Sequence, residues 1–211
     1  MNHLEFLIKR YPALGECKDS IQSAYEILEN CFANGNKLLI AGNGGSCTDS
    51  QHIVGELMKG FKLPRKCSDN FAEKLKKIDI ERGTELADKL QGGLPTIALT
   101  EHSALNTAYI NDVQNGGLLT FAQQVYGYGK EGDVLLCLST SGNSKNVMYA
   151  TVVARAMGIK VIGLTGAKGG ELAIVSDVVI KVPENETYII QELHLPVYHC
   201  LCLMLEEKFF N

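Results

Sequence analysis

The stretch Lys37-Leu-Leu-Ile-Ala-Gly-Asn-Gly-Gly-Ser46 decides the architecture. Lys37-Leu-Leu-Ile40 begins an apolar run without alternation, which reads as a buried strand over 37–41. Ala41-Gly-Asn-Gly-Gly-Ser46 is then a Gly-rich turn ending in a hydroxyl, and a helix follows over about 47–60. Strand, Gly-rich turn and helix together are how α/β proteins hold a phosphate or another anion. The glycines let the backbone approach closely, and the helix start offers unpaired N–H groups at the positive end of its dipole. His52 and Glu56, four residues apart, then lie on one helix face, separated by about 6 Å of rise. At that spacing they can share a metal or a proton.

The same grammar repeats along the chain. Residues 2–34 read as helical, broken near Pro12-Ala-Leu-Gly15 and stopped by Asn34-Gly35-Asn36. Leu94-Pro-Thr-Ile-Ala-Leu99 is a second strand and Asp133-Val-Leu-Leu-Cys-Leu-Ser139 a third, which enters Thr140-Ser-Gly-Asn-Ser144 and a helix over 144–157. Lys160-Val-Ile-Gly-Leu-Thr165 is a fourth, followed by a short Gly-rich helix start at 166–173. Asp177-Val-Val-Ile-Lys-Val182 is a fifth, before a final helix to about 209. Non-alternating strands separated by helices predict an α/β fold, a five-stranded parallel sheet covered by helices on both faces. Ligands in such sheets bind beyond the carboxyl ends of the strands, where both hydroxyl-rich turns fall. Segment 62–93 stands apart, dense in charge, with a weak helical pattern over 69–90 and a Gly92-Gly93 hinge. We expect helices on the surface there.

Bulk properties narrow the function. A chain of 211 residues is one domain with an elaboration. A net charge of -4 argues against nucleic acid as a main partner. No apolar run approaches the length of about 20 residues that a membrane helix needs. The first residues lack the charged-then-apolar layout of a signal peptide. Seven cysteines without a CxxC pair read as reduced thiols, so the expected compartment is the cytoplasm.

Ser139-Thr-Ser-Gly-Asn-Ser144 places four hydroxyls around one turn, more than capping a helix requires. With Ser46 they can surround a phosphate with neutral donors. No G-x-x-x-x-G-K-[ST] loop for a nucleoside triphosphate is present, nor a dinucleotide fingerprint, so a small phosphomonoester fits better. These two segments, Gly42–Ser46 and Ser139–Ser144, resemble the phosphosugar-binding loops of the sugar isomerase (SIS) domain. The wider context, from about Asn36 to Glu207 without 62–93, is similar to bacterial phosphoheptose isomerases. It includes Thr165-Gly-Ala-Lys-Gly-Gly170 and Ile190-Gln-Glu-Leu-His194.

The resemblance implies a flavodoxin-like three-layer fold and the interconversion of sedoheptulose 7-phosphate with D-glycero-D-manno-heptose 7-phosphate. It also implies a zinc-linked site of His52, Glu56, Gln191 and His199, with Glu56 as base and His199 as its acid–base partner. Substrate would be held by Asn43, Gly44, Gly45, Ser46, Glu56, Thr100, Glu101, Ser139, Thr140, Ser141, Ser144 and Gln191. A homotetramer with sites at subunit boundaries follows from the same resemblance, with helices 1–35 serving oligomerisation. Gln191 and His199 are about 12 Å apart along a continuous helix, which makes it hard for both to reach one ion. Pro196 therefore suggests a kink or a helix start, or the two side chains serve different subunits. Two departures bear on specificity: Thr100-Glu101 stands where some members carry Ser/Asn-Asp, and Tyr188-Ile-Ile190 lacks a cation common there. The 62–93 insert is a candidate lid. Two other functions remain open: isomerisation of a shorter or amino sugar phosphate, and a non-catalytic phosphosugar-binding adaptor or regulator.

Overall fold

The computed structural model describes residues 2–211. Five strands form one sheet: β1 (Leu38–Gly42), β2 (Thr96–Ala98), β3 (Val134–Leu138), β4 (Lys160–Thr165) and β5 (Val178–Lys181), in the order β2-β1-β3-β4-β5. Every pairing is parallel, and β1 lies in register with β3 from Leu38 opposite Val134 to Gly42 opposite Leu138. Asp133 holds the entry ends of these two strands together. Its buried carboxylate accepts from the Lys37 and Lys130 backbone N–H groups at 3.0 and 2.9 Å.

The strands are apolar throughout because both faces are covered. Leu38, Ile40, Val134, Leu136, Ile162 and Leu164 point to one face, under α2 (Lys18–Ala33), α3 (Gly45–Met58) and α10 (Thr187–Phe210). Leu39, Ala41, Leu135, Cys137 and Val161 point to the other, under α7 (Gly116–Tyr128) and α8 (Lys145–Ala156). A short helix, α1 (His3–Arg10), and a 3-10 turn at Pro12–Cys17 precede α2; α9 (Leu172–Val175) precedes β5. This is the three-layer fold expected from the strand pattern. None of the described helices is long and apolar enough to cross a membrane.

Two features differ from the sequence pattern, and a third refines it. Two helices, α6 (Ser103–Asp112) and α7, fill the stretch between β2 and β3, for which no element was expected. α6 buries no side chain, so it carries no apolar stripe, and α7 opens on Gly116-Gly117, which resembles a linker. Segment 69–90 forms the expected surface helices, α4 (Asp69–Ile78) and α5 (Ile80–Lys89). Asp79 divides them, with an extended backbone and a carboxylate that accepts from the Arg82 N–H at 2.8 Å as the N-cap of α5. Finally, α10 continues through Pro196, so the proline neither starts the helix nor ends it.

The neck of the insert is clasped to α10 by a buried ion pair. Arg65 and Glu206 are almost wholly buried, with Arg65 Nε 2.9 Å from Glu206 Oε1. Glu206 also accepts from the Phe61 and Lys62 N–H groups at 2.8 and 2.9 Å. Arg65 Nη1 and Nη2 donate to the carbonyls of Leu57 and Glu56 at 2.7 and 2.9 Å, at the C-terminal end of α3. Burial pushes the Glu206 pKa up, but the bonds from Phe61, Arg65 and Lys62 outweigh it and leave the carboxyl below its usual range.

Arg65→Ala strands the Glu206 charge and is expected to cost about 3–5 kcal/mol in urea unfolding at pH 7. Because the native pKa of Glu206 is depressed, the stability it contributes is present above its unfolded pKa and is lost as pH falls through its folded pKa. The difference between wild type and Arg65→Ala should therefore shrink below about pH 4. A penalty constant from pH 7 to pH 3 would contradict the assignment.

Candidate active site

The two Gly- and Ser-rich turns leave adjacent strands and open two helices, α3 and α8. Their N-cap residues, Gly44 and Ser144, form no side-chain cap; the Ser46 and Cys47 N–H groups bond to the Asn43 and Gly44 carbonyls and the Val147 N–H to Asn146 Oδ1, which leaves the Gly45, Lys145 and Asn146 N–H groups for another acceptor. Ser144 Oγ instead pairs with Ser139 Oγ at 3.0 Å. Asn43 and Asn146 exchange two amide hydrogen bonds of 2.9 Å each, which latch the first turn to the start of α8. Ser46 and Ser139 are buried, while Ser141 is exposed. The Thr140 carbonyl accepts from the Gly166 N–H at 3.1 Å, tying the second turn to the 165–170 loop. Gly142 is obligatory there: its φ is +66°, and a Cβ would stand 1.9 Å from the Gly169 carbonyl oxygen.

The α3–α10 seam holds the reactive side chains. His52 Nε2 lies 3.3 Å from Glu56 Oε1 and 3.4 Å from His199 Nε2. All three belong to one chain, so this part of the set needs no second copy to assemble. Glu56 Oε2 is buried without a hydrogen-bond partner, 3.7 Å from Lys59 Nζ. Burial lowers the His199 pKa and the neighbouring His52 adds to this, opposed by Glu56, so His199 is neutral at neutral pH. The Phe61 ring packs on His199, with centroids 5.3 Å apart.

Gln191 sits two turns before His199, against the start of α3. A Cβ on Gly45 would come within 2.6 Å of its amide nitrogen, so the glycine makes room for that amide. Thr100 and Glu101 lie beyond the carboxyl end of β2. There Glu101 borders a depression with Gln51 and Gly55, on another side of α3 from His52 and Glu56. The Thr100 hydroxyl is buried without a partner.

Two residues that the sequence did not single out belong to this seam. Tyr198 Oη lies 3.0 Å from His52 Nδ1 and donates to Asp49 Oδ1 at 3.1 Å. Burial raises the Asp49 pKa, against the lowering effects of the Tyr198 bond and of His52. Asp49, His52 and Glu56 are spaced i, i+3, i+7 on α3, a signal legible in the sequence once the helix is placed. His194, by contrast, faces the core with both ring nitrogens unpartnered, and burial pushes its pKa down to about 4.

The donor set suits zinc, whose imidazole and carboxylate bonds of about 2.0–2.1 Å give a tetrahedron with edges of about 3.3–3.4 Å. The two nitrogen-centred separations match such edges, and Glu56 Oε2 is an orphaned buried oxygen beside them. No group of three or more His, Cys, Asp or Glu among the described residues is arranged to hold a metal ion, so the match rests on these two edges alone.

The SIS domain family model matches residues 80–166. A phosphoheptose isomerase of Geotalea daltonii is 38% identical over 196 residues, 93% of this chain and 88% of that protein. One from Rhodospirillum rubrum is 39% identical over 194 residues, covering 92% and 88%. The solved structure of a phosphoheptose isomerase from Francisella tularensis superposes with a TM-score of 0.73 at 30% identity, covering 98% of this chain and all of that one. With this identity carried across nearly the full length, and with the same fold, the chain belongs to the phosphoheptose isomerase family of SIS-domain proteins.

Proposed function

We propose that this isomerase interconverts sedoheptulose 7-phosphate and D-glycero-D-manno-heptose 7-phosphate through an enediol. The observation that carries this reading is the His52–Glu56–His199 cluster in the α3–α10 seam, on the helix that the Gly-rich turn opens. The phosphate is received by the N–H groups opening α3 and α8, with Ser46, Ser139, Thr140, Ser141 and Ser144 as neutral donors and Asn43, Gly44 and Gly45 shaping the turn. The sugar then extends toward Glu56, with Gln191 beside Gly45.

Glu56 takes the proton from one of the two carbons that exchange the carbonyl, and the C–H electrons become the enediol double bond. Returning that proton to the other carbon completes the isomerisation. The unpartnered Oε2 is the oxygen available for this task. His199, neutral through burial, moves the second proton between the two sugar oxygens. His52, Glu56 and His199 are the residues of this cluster that would hold zinc, which when bound polarises the carbonyl, whereas Gln191 lies apart from them beside Gly45. In the homotetramer proposed here, a neighbouring subunit would cover the groove of about 320 Å³ beside His199, whose lining includes Phe6, Phe61 and Leu195. All seven cysteines are free thiols, which supports a reducing compartment, the cytoplasm. The α4–α5 hairpin is proposed as a lid, since apart from Gly83 it buries no residue.

Proton exchange from a panel of sugar phosphates in D₂O tests the reaction, because enediol formation labels the carbon whichever isomer is released. Glu56→Gln should lower exchange by about 10²–10⁴-fold while retaining phosphosugar binding. Zinc chelation should lower wild-type exchange in the same assay. A wild type that binds a sugar phosphate and exchanges no proton would establish the adaptor reading instead. Gly45→Ala should displace only the flexible end of Gln191, so melting temperature should hold while turnover falls; unchanged turnover would remove Gln191 from the site. Replacing 69–89 by a short Gly-Ser link should preserve folding and raise KM for the heptose phosphate several-fold. Identical kcat, KM and substrate range would end the lid proposal.

A further inference from the structure

The Tyr198 hydroxyl stands between two polar groups and has a single proton to give. It donates that proton to Asp49 Oδ1 at 3.1 Å, because a carboxylate can only accept. Its oxygen therefore meets His52 Nδ1, 3.0 Å away, as an acceptor. Nδ1 must then carry the hydrogen, and a neutral imidazole has only one, so Nε2 is left as a bare lone pair. Nε2 is the atom that faces the reactive cluster, 3.3 Å from Glu56 and 3.4 Å from His199.

The opposite tautomer would place the proton between Nε2 and Glu56. Nδ1 would then have to accept from Tyr198, and the Asp49 oxygen would lose its donor in a half-buried position. The distances favour the first arrangement, since the two links on the Asp49 side are shorter than the two on the Glu56 side. The arrangement is also rigid. Tyr198 is 1% exposed, and its ring stands edge-on to both His52 and His199, at 76° and 86°. Burial and the Asp49 carboxylate hold the phenol well above its usual range, so it remains a donor throughout the physiological range.

We propose that Tyr198, itself held by Asp49, is a positioning residue that fixes His52 as its Nδ1–H tautomer and aims the Nε2 lone pair at the site. The proposal rests on the isomerase reading only in taking Nε2 as the working atom. An imidazole so fixed is ready to accept a proton or a metal ion at Nε2 without first exchanging tautomers.

The test is the ring protonation of His52, read by long-range ¹H–¹⁵N correlation on histidine-labelled, chelator-treated protein, with His52→Gln to assign the signals. Wild type should show a protonated Nδ1 and a bare Nε2. Tyr198→Phe keeps the ring and removes the acceptor, so His52 should revert to the Nε2–H form favoured by free imidazole. Asp49→Ala should produce the same reversal with Tyr198 in place, because the phenol is then free to donate to Nδ1. In both variants kcat should fall about tenfold while KM changes less than twofold. An Nε2–H or doubly protonated ring in wild type overturns the proposal, as does a tautomer unchanged in either variant. If Tyr198→Phe does not fold, Asp49→Ala decides alone. A tautomer that switches in a protein inactive on every sugar phosphate would uphold this assignment and refute the isomerase reading; active protein with an unswitched ring would do the reverse.

Discussion

The pairing of β1 with β3 is the constraint on which the site depends. β1 turns to β2 on one side and is joined in space to β3 on the other, so its carboxyl end borders the crevice where the strand order reverses. Gly42 opposite Leu138 sets the two turns level. The helices that follow then leave to opposite faces of the sheet, α3 toward α10 and α8 toward α7. Two positive helix ends consequently converge on one opening without a single lysine or arginine in either turn. The Asn43–Asn146 latch fixes the gap between them.

A second constraint follows from α3 being packed on two sides. Ile53 and Leu57 face the sheet core, while Asp49, His52 and Glu56 face the seam with α10. Polar groups held at such a seam are costly unless bonded, and most are. The Asp49–Tyr198–His52 chain satisfies one end, and Arg65 and Glu206 close the other. Glu56 Oε2 is the exception on this face, a buried oxygen without a hydrogen bond. His194 is a second polar orphan, on α10 and turned toward the core, where it is neutral.

Much of this was legible in the residues. The strands announced themselves as unbroken apolar runs because both faces are buried, and the turns because glycine and serine have few other reasons to cluster after a strand. His52 and Glu56 declared their shared face by spacing alone. The features without a local signature were not legible. α6 carries no apolar stripe, and the division of 69–90 depends on one capping aspartate within a continuous helical pattern. The apparent difficulty of bringing Gln191 and His199 to one place arose from considering α10 alone. Beside α3 their separation runs along the partner helix, so Gln191 meets Gly45 and His199 meets His52. Tyr198 reads as an ordinary core aromatic until its hydroxyl is placed in three dimensions.

The neck of the α4–α5 hairpin has a consequence for how such a protein can diversify. Lys66 bridges to Gln91, the Gly92 N–H bonds to the Arg65 carbonyl at 2.6 Å, and the Arg65 guanidinium is locked to Glu206. Chain enters and leaves the hairpin through this closed gate, and the helices beyond it contribute almost nothing to the core. Length and composition of the hairpin are thereby uncoupled from the stability of the sheet. Drift can therefore rewrite the exposed faces of α4 and α5 at little cost to the sheet beneath.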